Sequence, residues 1–500
     1  MQKSTGRIAA AVVAFNFIMG VGSGAQQGRP AQPPIKKHTY DLDSEYIRMP
    51  LPPAEQAYAR IEGPRLKQYV NEITGVSRKS RDDGEKYWGR IAGTKYDDMI
   101  EGWVEQKFKE FGLQNVTRQY FELTPQFFPT NWSLTATGGG KSITFSTVRP
   151  AGRATTPPTG LDLDPVWVGL GTEADFAGRD VKGKLVFIHS IPTPAVISHS
   201  ATWLGAADRA AKKGAAAVLI NLAILGTNYQ VQLNGGVESV PTFSIGYEDA
   251  TALRTMIETG PVKVKAMLVG ETRSALKDAN VWGTLPGATD EDILIFAHHD
   301  AYFEGAIDNA SGMAVMVGLA EYFSKVPQAQ RRRTLKFVTT SGHHAGSTGV
   351  AWMHDNRQTL FAKTAVALNV EPVSATQTYL RGPVLRQSNN IAARRWWVYG
   401  SSKLATLALN AFKTFGVTVY HEMEETCCGD SSAIQRDVPN VVLMESPVYY
   451  HTDHDRPDVV PEAGLEAAGR AYAKLIDQVN KVERRDLLYE APTSSANRQQ

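Results

Sequence analysis

Eight of the eleven histidines fall between His298 and His454. His298-His299-Asp300, Asp308, His343-His344, Glu371 and Tyr450-His451 are the groups whose types and spacing suit chemistry. Imidazole and carboxylate together suit zinc, and a carboxylate with two free oxygens can bridge a pair of ions. A lone histidine is more often structural than metal-binding. Several at the same edge of one sheet shift that balance. The His-x-Asp spacing lets Asp300 orient the imidazole of His298, which is how ligating histidines are commonly held.

The elements around these groups place them together. Apolar runs at Ile293 to Ala297, Leu335 to Thr339, Ala365 to Val370 and Val441 to Met444 read as buried strands. Each is followed by one of the candidate groups. Between them, Met313 to Phe323 and Leu404 to Phe415 have helical spacing. Alternation of this kind predicts an α/β fold, a mainly parallel sheet sandwiched by helices, with ligands at the carboxyl ends of the strands. Earlier in the chain, Asp97 to Phe111 forms an amphipathic pattern stopped by Gly112.

The pattern changes between about residues 160 and 269. Leu185 to Ile188, Ala217 to Ile220 and Val240 to Ile245 read as strands, with an alanine-rich helix from Ala206 to Lys213. This stretch resembles a protease-associated domain, a β-rich module inserted into exopeptidases to cover or shape their substrate cleft.

Composition adds limits. Fifty-three basic residues against fifty-one acidic ones leave a formal charge of +2, and no basic run is interleaved with aromatics, so nucleic acid is not expected as a partner. Arg331-Arg332-Arg333 reads as a solvated turn. Lys3 and Arg7 precede an apolar stretch from Ile8 to Val21, followed by Ser23-Gly24-Ala25. That is the layout of a signal peptide over residues 1–25, too short to span a bilayer, and it predicts a secreted or periplasmic protein. Residues 26–53 read as an extended lead-in, 54–159 and 270–490 as the two parts of a catalytic domain, and 491–500 as a tail. Cys427 and Cys428 are the only cysteines, so there is no disulfide framework, only a vicinal bond or two free thiols.

From Gly89-Arg90-Ile91-Ala92-Gly93-Thr94 to the C-terminal helix, the chain resembles the zinc exopeptidases that include bacterial leucyl aminopeptidases and glutamate carboxypeptidase. The interval from His298 to Asp308, the Asp308-Asn309-Ala310-Ser311-Gly312 run and Tyr450-His451-Thr452 carry the resemblance. It implies that Asp308 bridges two metals, with His298 and Glu371 completing one site and His344 and His451 the other. It also implies a cis peptide at Asp308-Asn309.

Two positions depart from the family. Glu371 stands where Asp is usual, and His343-His344 stands where the family has Glu-Glu, a general base followed by a ligand. Histidine suits a general base near neutrality, with an unperturbed pKa of about 6.5. The expectation is therefore an aminopeptidase-type exopeptidase or amide hydrolase acting on a peptide or small amide and using one or two zinc ions, with His343 moving the proton, Asp300 orienting and Tyr450 steadying the oxyanion. A single-metal acyl-transfer or non-peptide amidohydrolase is the alternative, and a non-catalytic binding protein on the same fold is a further one. His299 is expected to wall the pocket or to support a ligand from behind rather than bind metal. Nothing in the sequence fixes the oligomeric state.

Overall fold

A computed structural model describes residues 46–191, 200–224, 237–381, 384–420, 429–445 and 448–489. The expected signal segment, the lead-in before residue 46, Cys427, Cys428 and the tail lie outside the described residues.

The central sheet has eight strands: β1 (Gln114–Glu122), β2 (Lys277–Leu285), β3 (Asp292–His298), β4 (Thr334–Thr340), β5 (Thr364–Val370), β6 (Arg394–Tyr399), β7 (Val419–Tyr420) and β8 (Asn440–Met444). Their order across the sheet is β1-β2-β4-β3-β5-β8-β6-β7. The middle strands β4, β3, β5 and β8 run parallel. The flanks do not: β2 is antiparallel to both β4 and β1, and β6 is antiparallel to β8. The sheet is thus mixed, with the expected parallel order confined to the strands that carry the site.

Burial on both faces explains the apolar runs in those middle strands, such as Ile293 to Ala297 in β3 and Val441 to Met444 in β8. Six helices matter here: α1 (Gly63–Asp82), α2 (Lys95–Glu110), α3 (Gly312–Ser324), α4 (Thr348–Asp355), α5 (Ser402–Thr414) and α6 (Glu462–Val479). Successive side chains of β3 alternate between two cores, as strand geometry requires. Ile293, Ile295 and Ala297 pack with Leu66, Met316 and Leu475 under α1, α3 and α6. Leu294 and Phe296 pack with Val350, Met353 and Ile434 on the other face. Burying a side chain of this size contributes roughly 1.5–3 kcal/mol each, so the strand ends that hold the site are firmly anchored.

Between β1 and β2 the chain leaves the central sheet. An antiparallel sheet, ordered 141–144, 126–138, 262–273 and 161–163, packs on a five-stranded one ordered 149–150, 242–245, 217–222, 185–190 and 165–167. Trp132, Leu134, Phe187, Leu219, Phe243 and Val264 share the core of this module. The strands expected near 185, 217 and 242 are present. The module reaches further than residues 160–269, however. Gln126–Gly138 pairs along its length with Val262–Arg273, so one sheet joins chain before the expected insertion to strands lying largely within it.

The arginine run is not a solvated turn. Arg333 is fully buried, donates to the Val479 and Val482 carbonyls, and lies 2.7 Å from Glu291. Arg331 donates to the carbonyls of Pro286 and Phe323. A charge taken from water is tolerated only with such satisfied donors, and here they tie α3 and α6 to the start of β4.

Candidate metal centre

Most of the candidate groups sit at or beyond the end of a middle strand. His298 is the last residue of β3, His343 and His344 follow β4, Glu371 follows β5, and His451 lies beyond β8. Asp308 comes from the segment that enters α3, and its peptide bond to Asn309 is cis, as the resemblance implied. Gly312 opens α3 where a Cβ would collide with the Val370 carbonyl and with Asn309 Oδ1, so only glycine lets this segment lie against the end of β5.

The two oxygens of Asp308 face two groups of nitrogen and oxygen atoms. Oδ1 is 3.2 Å from His298 Nε2, which is 3.5 Å from Glu371 Oε2. Oδ2 is 3.2 Å from His344 Nε2 and 3.3 Å from His451 Nε2, and those two nitrogens are 3.0 Å apart. A tetrahedral zinc with bonds of 2.0–2.1 Å spaces its ligands about 3.3 Å from one another. The donor set fits. A second observation agrees: His298 Nε2 and Glu371 Oε2 are buried and have no hydrogen-bond partner among the described residues, an expensive arrangement unless a cation completes it.

Asp300 stands behind this cluster rather than in it. Its Oδ1 accepts from the His343 backbone N–H at 3.0 Å, and its Oδ2 accepts from the His344 N–H at 2.8 Å and lies 3.0 Å from His344 Nδ1. The carboxylate therefore orients His344 at least as directly as His298, whose Nδ1 is 3.2 Å from the Asp300 carbonyl. Tyr450 is stacked on His451, with ring centroids 3.6 Å apart. His451 itself has φ +57°, a left-handed conformation that costs a non-glycine residue roughly 1–2 kcal/mol and that aims its ring at Asp308.

Charge is balanced within the cluster. Burial opposes ionisation of Asp308, yet the adjacent rings of His298, His344 and His451 hold its carboxyl well below the usual range. Burial likewise works against Asp300, and His344 and His298 outweigh it. For His344, burial favours the neutral ring, but Asp300 and Asp308 raise its pKa to about 9. His451 goes the other way: burial, helped by neighbouring His344, lowers it to about 4 despite Asp308. Protons on these rings occupy the place of metal charge, so metal binding must displace them.

The structure also brings in residues that sequence reasoning did not single out. Asp430 Oδ1 lies 2.7 Å from His343 Nδ1, and its Oδ2 accepts from Thr340 Oγ1 at 2.6 Å. The His343 ring is stacked on that of His298, with centroids 3.9 Å apart. Gly429, at φ +69°, lets the Asp430 N–H reach Glu371 Oε1 at 3.0 Å. Asp455 accepts from the backbone N–H groups of Ile307 and Asp308 at 2.6 and 3.1 Å and so fixes Asp308. His299 does not wall the pocket. Strand alternation turns it away from His298, fully buried and 3.4 Å from Asp97.

Residues 280–476 match the model of Peptidase family M28. A probable glutamate carboxypeptidase from Zea mays is 25% identical over 349 residues, 56% of this chain and 48% of its own length. The chain thus spans about half the length of that relative. Aminopeptidase YwaD of Bacillus subtilis (strain 168) is 23% identical over 416 residues, covering 79% of this chain and 82% of its own. Among solved structures, a Peptidase M28 precursor from Shewanella amazonensis superposes with a TM-score of 0.69 at 20% identity, over 88% of this chain and 98% of that one. A zinc aminopeptidase from Bacillus subtilis gives 0.63 at 18% identity, over 88% and 99%. These superpositions establish a shared fold. The segment that resembles Peptidase family M28, residues 280–476, is the one that supplies His298, Asp308, His344, Glu371 and His451.

Proposed function

We propose that this protein is an exported, two-zinc exopeptidase of aminopeptidase type acting on peptides or small amides. The observation that carries this reading is the pair of three-residue claws sharing Asp308: His298, Asp308 and Glu371 for one ion, Asp308, His344 and His451 for the other. Bound there, zinc supplies a Lewis acid for the scissile carbonyl and brings the pKa of a water to about 7.

The chain's own residues do the rest. Asp430 engages Nδ1 of His343, which leaves Nε2 as the nitrogen that takes a proton from the attacking water and returns it to the departing amine. A carboxylate-held imidazole thereby replaces the carboxylate base usual in the family. Asp300 holds His344 in the orientation that points Nε2 at Asp308. Tyr450, packed on His451, supplies a hydroxyl to the developing oxyanion. Beside His344, a cavity lined by Tyr87, Phe127, Phe128 and Tyr302 suits an apolar substrate side chain. Two of those residues come from the module between β1 and β2, in keeping with a protease-associated domain that shapes the cleft. Similarity to an aminopeptidase along most of the chain favours that mode, and the N-terminal signal-like segment favours export.

Metal analysis with hydrolysis of a panel of aminoacyl and acyl amides tests the reading. The expected result is two equivalents of zinc, cleavage of aminoacyl amides, and loss of cleavage in His343→Ala with both metals retained. A native protein that binds no metal, or a His343→Ala variant as active as wild type, would overturn it.

A further inference from the structure

About one residue away from the metal centre, on the opposite side of β3, a second group of potential ligands is closed off from solvent. Asp97 and Glu101 lie one turn apart on α2, Asp278 is at the start of β2, and His299 follows β3. All four are buried, at 0–3% exposure, and one ligand atom from each lies within 4.8 Å of the others. Asp97 and Glu101 were brought to one face by the helical i, i+4 spacing, and His299 by the alternation that sends it away from His298.

Carboxylates gathered this way can be explained by hydrogen bonds, and part of each is. Ser341 Oγ donates to Asp97 Oδ2 at 3.0 Å, and the Ala279 N–H donates to Glu101 Oε1 and Asp278 Oδ1, each at 2.9 Å. Arg118 reaches the other oxygen of Glu101 at 3.0 Å. What remains is unmet: Asp97 Oδ1, Asp278 Oδ2 and both ring nitrogens of His299 have no hydrogen-bond partner among the described residues. His299 Nε2 faces Asp97 Oδ1 at 3.4 Å, beyond a good N–H···O bond but about the edge of a tetrahedron of ligands around an ion with bonds near 2.1 Å. Burial and the neighbouring Asp278 carboxylate push Glu101 up to about 9, against the pull of Arg118.

We propose that Asp97, Glu101, Asp278 and His299 form a third, structural cation site that takes a zinc ion. One imidazole and three carboxylates make a closed four-ligand set, whereas catalytic sites keep a position open. The ion would pin α2 and the start of β2 to the segment His298-His299-Asp300, and so set the positions of a metal-centre ligand and its orienting carboxylate. The inference does not depend on the proposed reaction.

The test uses full-length protein purified from zinc-supplemented medium. Its crystals, measured on both sides of the zinc edge, are expected to show an anomalous peak among Asp97, Glu101, Asp278 and His299, separate from any at His298, Asp308 or His451. Elemental analysis is expected to give one more equivalent of zinc in wild type than in Glu101→Gln. A map with no peak in the cluster overturns the site, whether or not the variant folds, and so does an equal zinc count in a folded Glu101→Gln. Peaks at the metal centre alone would leave the proposed function standing while removing this site, and a peak in the cluster alone would do the reverse.

Discussion

His343 Nδ1 and Asp430 Oδ1 are 2.7 Å apart, joined across 87 residues of sequence at the mouth of the metal centre. A carboxylate in that position fixes the tautomer and orientation of the imidazole, which a general base needs. Burial disfavours the Asp430 anion, but the His343 ring and Thr340 keep its carboxyl below the ordinary range. Asp430→Asn should therefore lower kcat on the order of 10²-fold while leaving KM and zinc content near wild type. Steady-state kinetics with metal analysis checks this; an unchanged kcat would remove His343 from proton transfer.

Asp300 offers a different kind of test, because it holds other residues in place. It spends both oxygens on the His343 and His344 N–H groups and on His344 Nδ1. Replacing an orienting carboxylate of this type usually weakens metal affinity about 10–100-fold. Asp300→Asn should show that loss in a competitive chelator titration. Wild-type affinity would mean that the loop after β4 keeps His344 in position by itself.

The two claws should also come apart separately. His451→Ala removes one ligand from the group that contains His344, but His298, Glu371 and Asp308 Oδ1 stay in place. The expected outcome is loss of one equivalent of zinc from the metal centre, with the second retained. Loss of both at once would show that the ions bind only as a pair.

How much of this was legible beforehand follows from the range of the signals. The strand ends that carry His298, His343, His344 and Glu371 were visible because buried parallel strands are apolar runs, and a ligand just past such a run needs no further information. The flanking strands were harder. β1 shows no buried position along its nine residues, so little hydrophobic contrast marks it as part of the sheet. Asp430 and Asp455 were not assignable because their work consists of contacts made 87 and more than 140 residues away. Arg333 misled for the same reason: a charged run reads as solvated unless its acceptors, here carbonyls of α6 and its end, are known. The pairing of Gln126–Gly138 with Val262–Arg273 is equally invisible locally, because it joins segments far apart in sequence.

Glu445, next to the end of β8, yields a prediction about stability. It is 1% exposed, and burial pushes its carboxyl up to about 8, against the opposing pull of Arg394 and the Ala375 backbone. An unfolded glutamate titrates near about 4.3. Below that pH both states carry the proton and Glu445 costs nothing. As pH rises further, the unfolded chain ionises while the folded one holds its proton, so stability is lost until the folded group also ionises near pH 8. The slope is about 1.4 kcal/mol per pH unit, or about 3 kcal/mol between about pH 5.5 and about pH 8. Glu445→Gln, which cannot ionise, should gain on wild type by that order over the same interval in urea unfolding. A constant difference between the two proteins would instead mean that Glu445 is already charged in the fold and paired with Arg394.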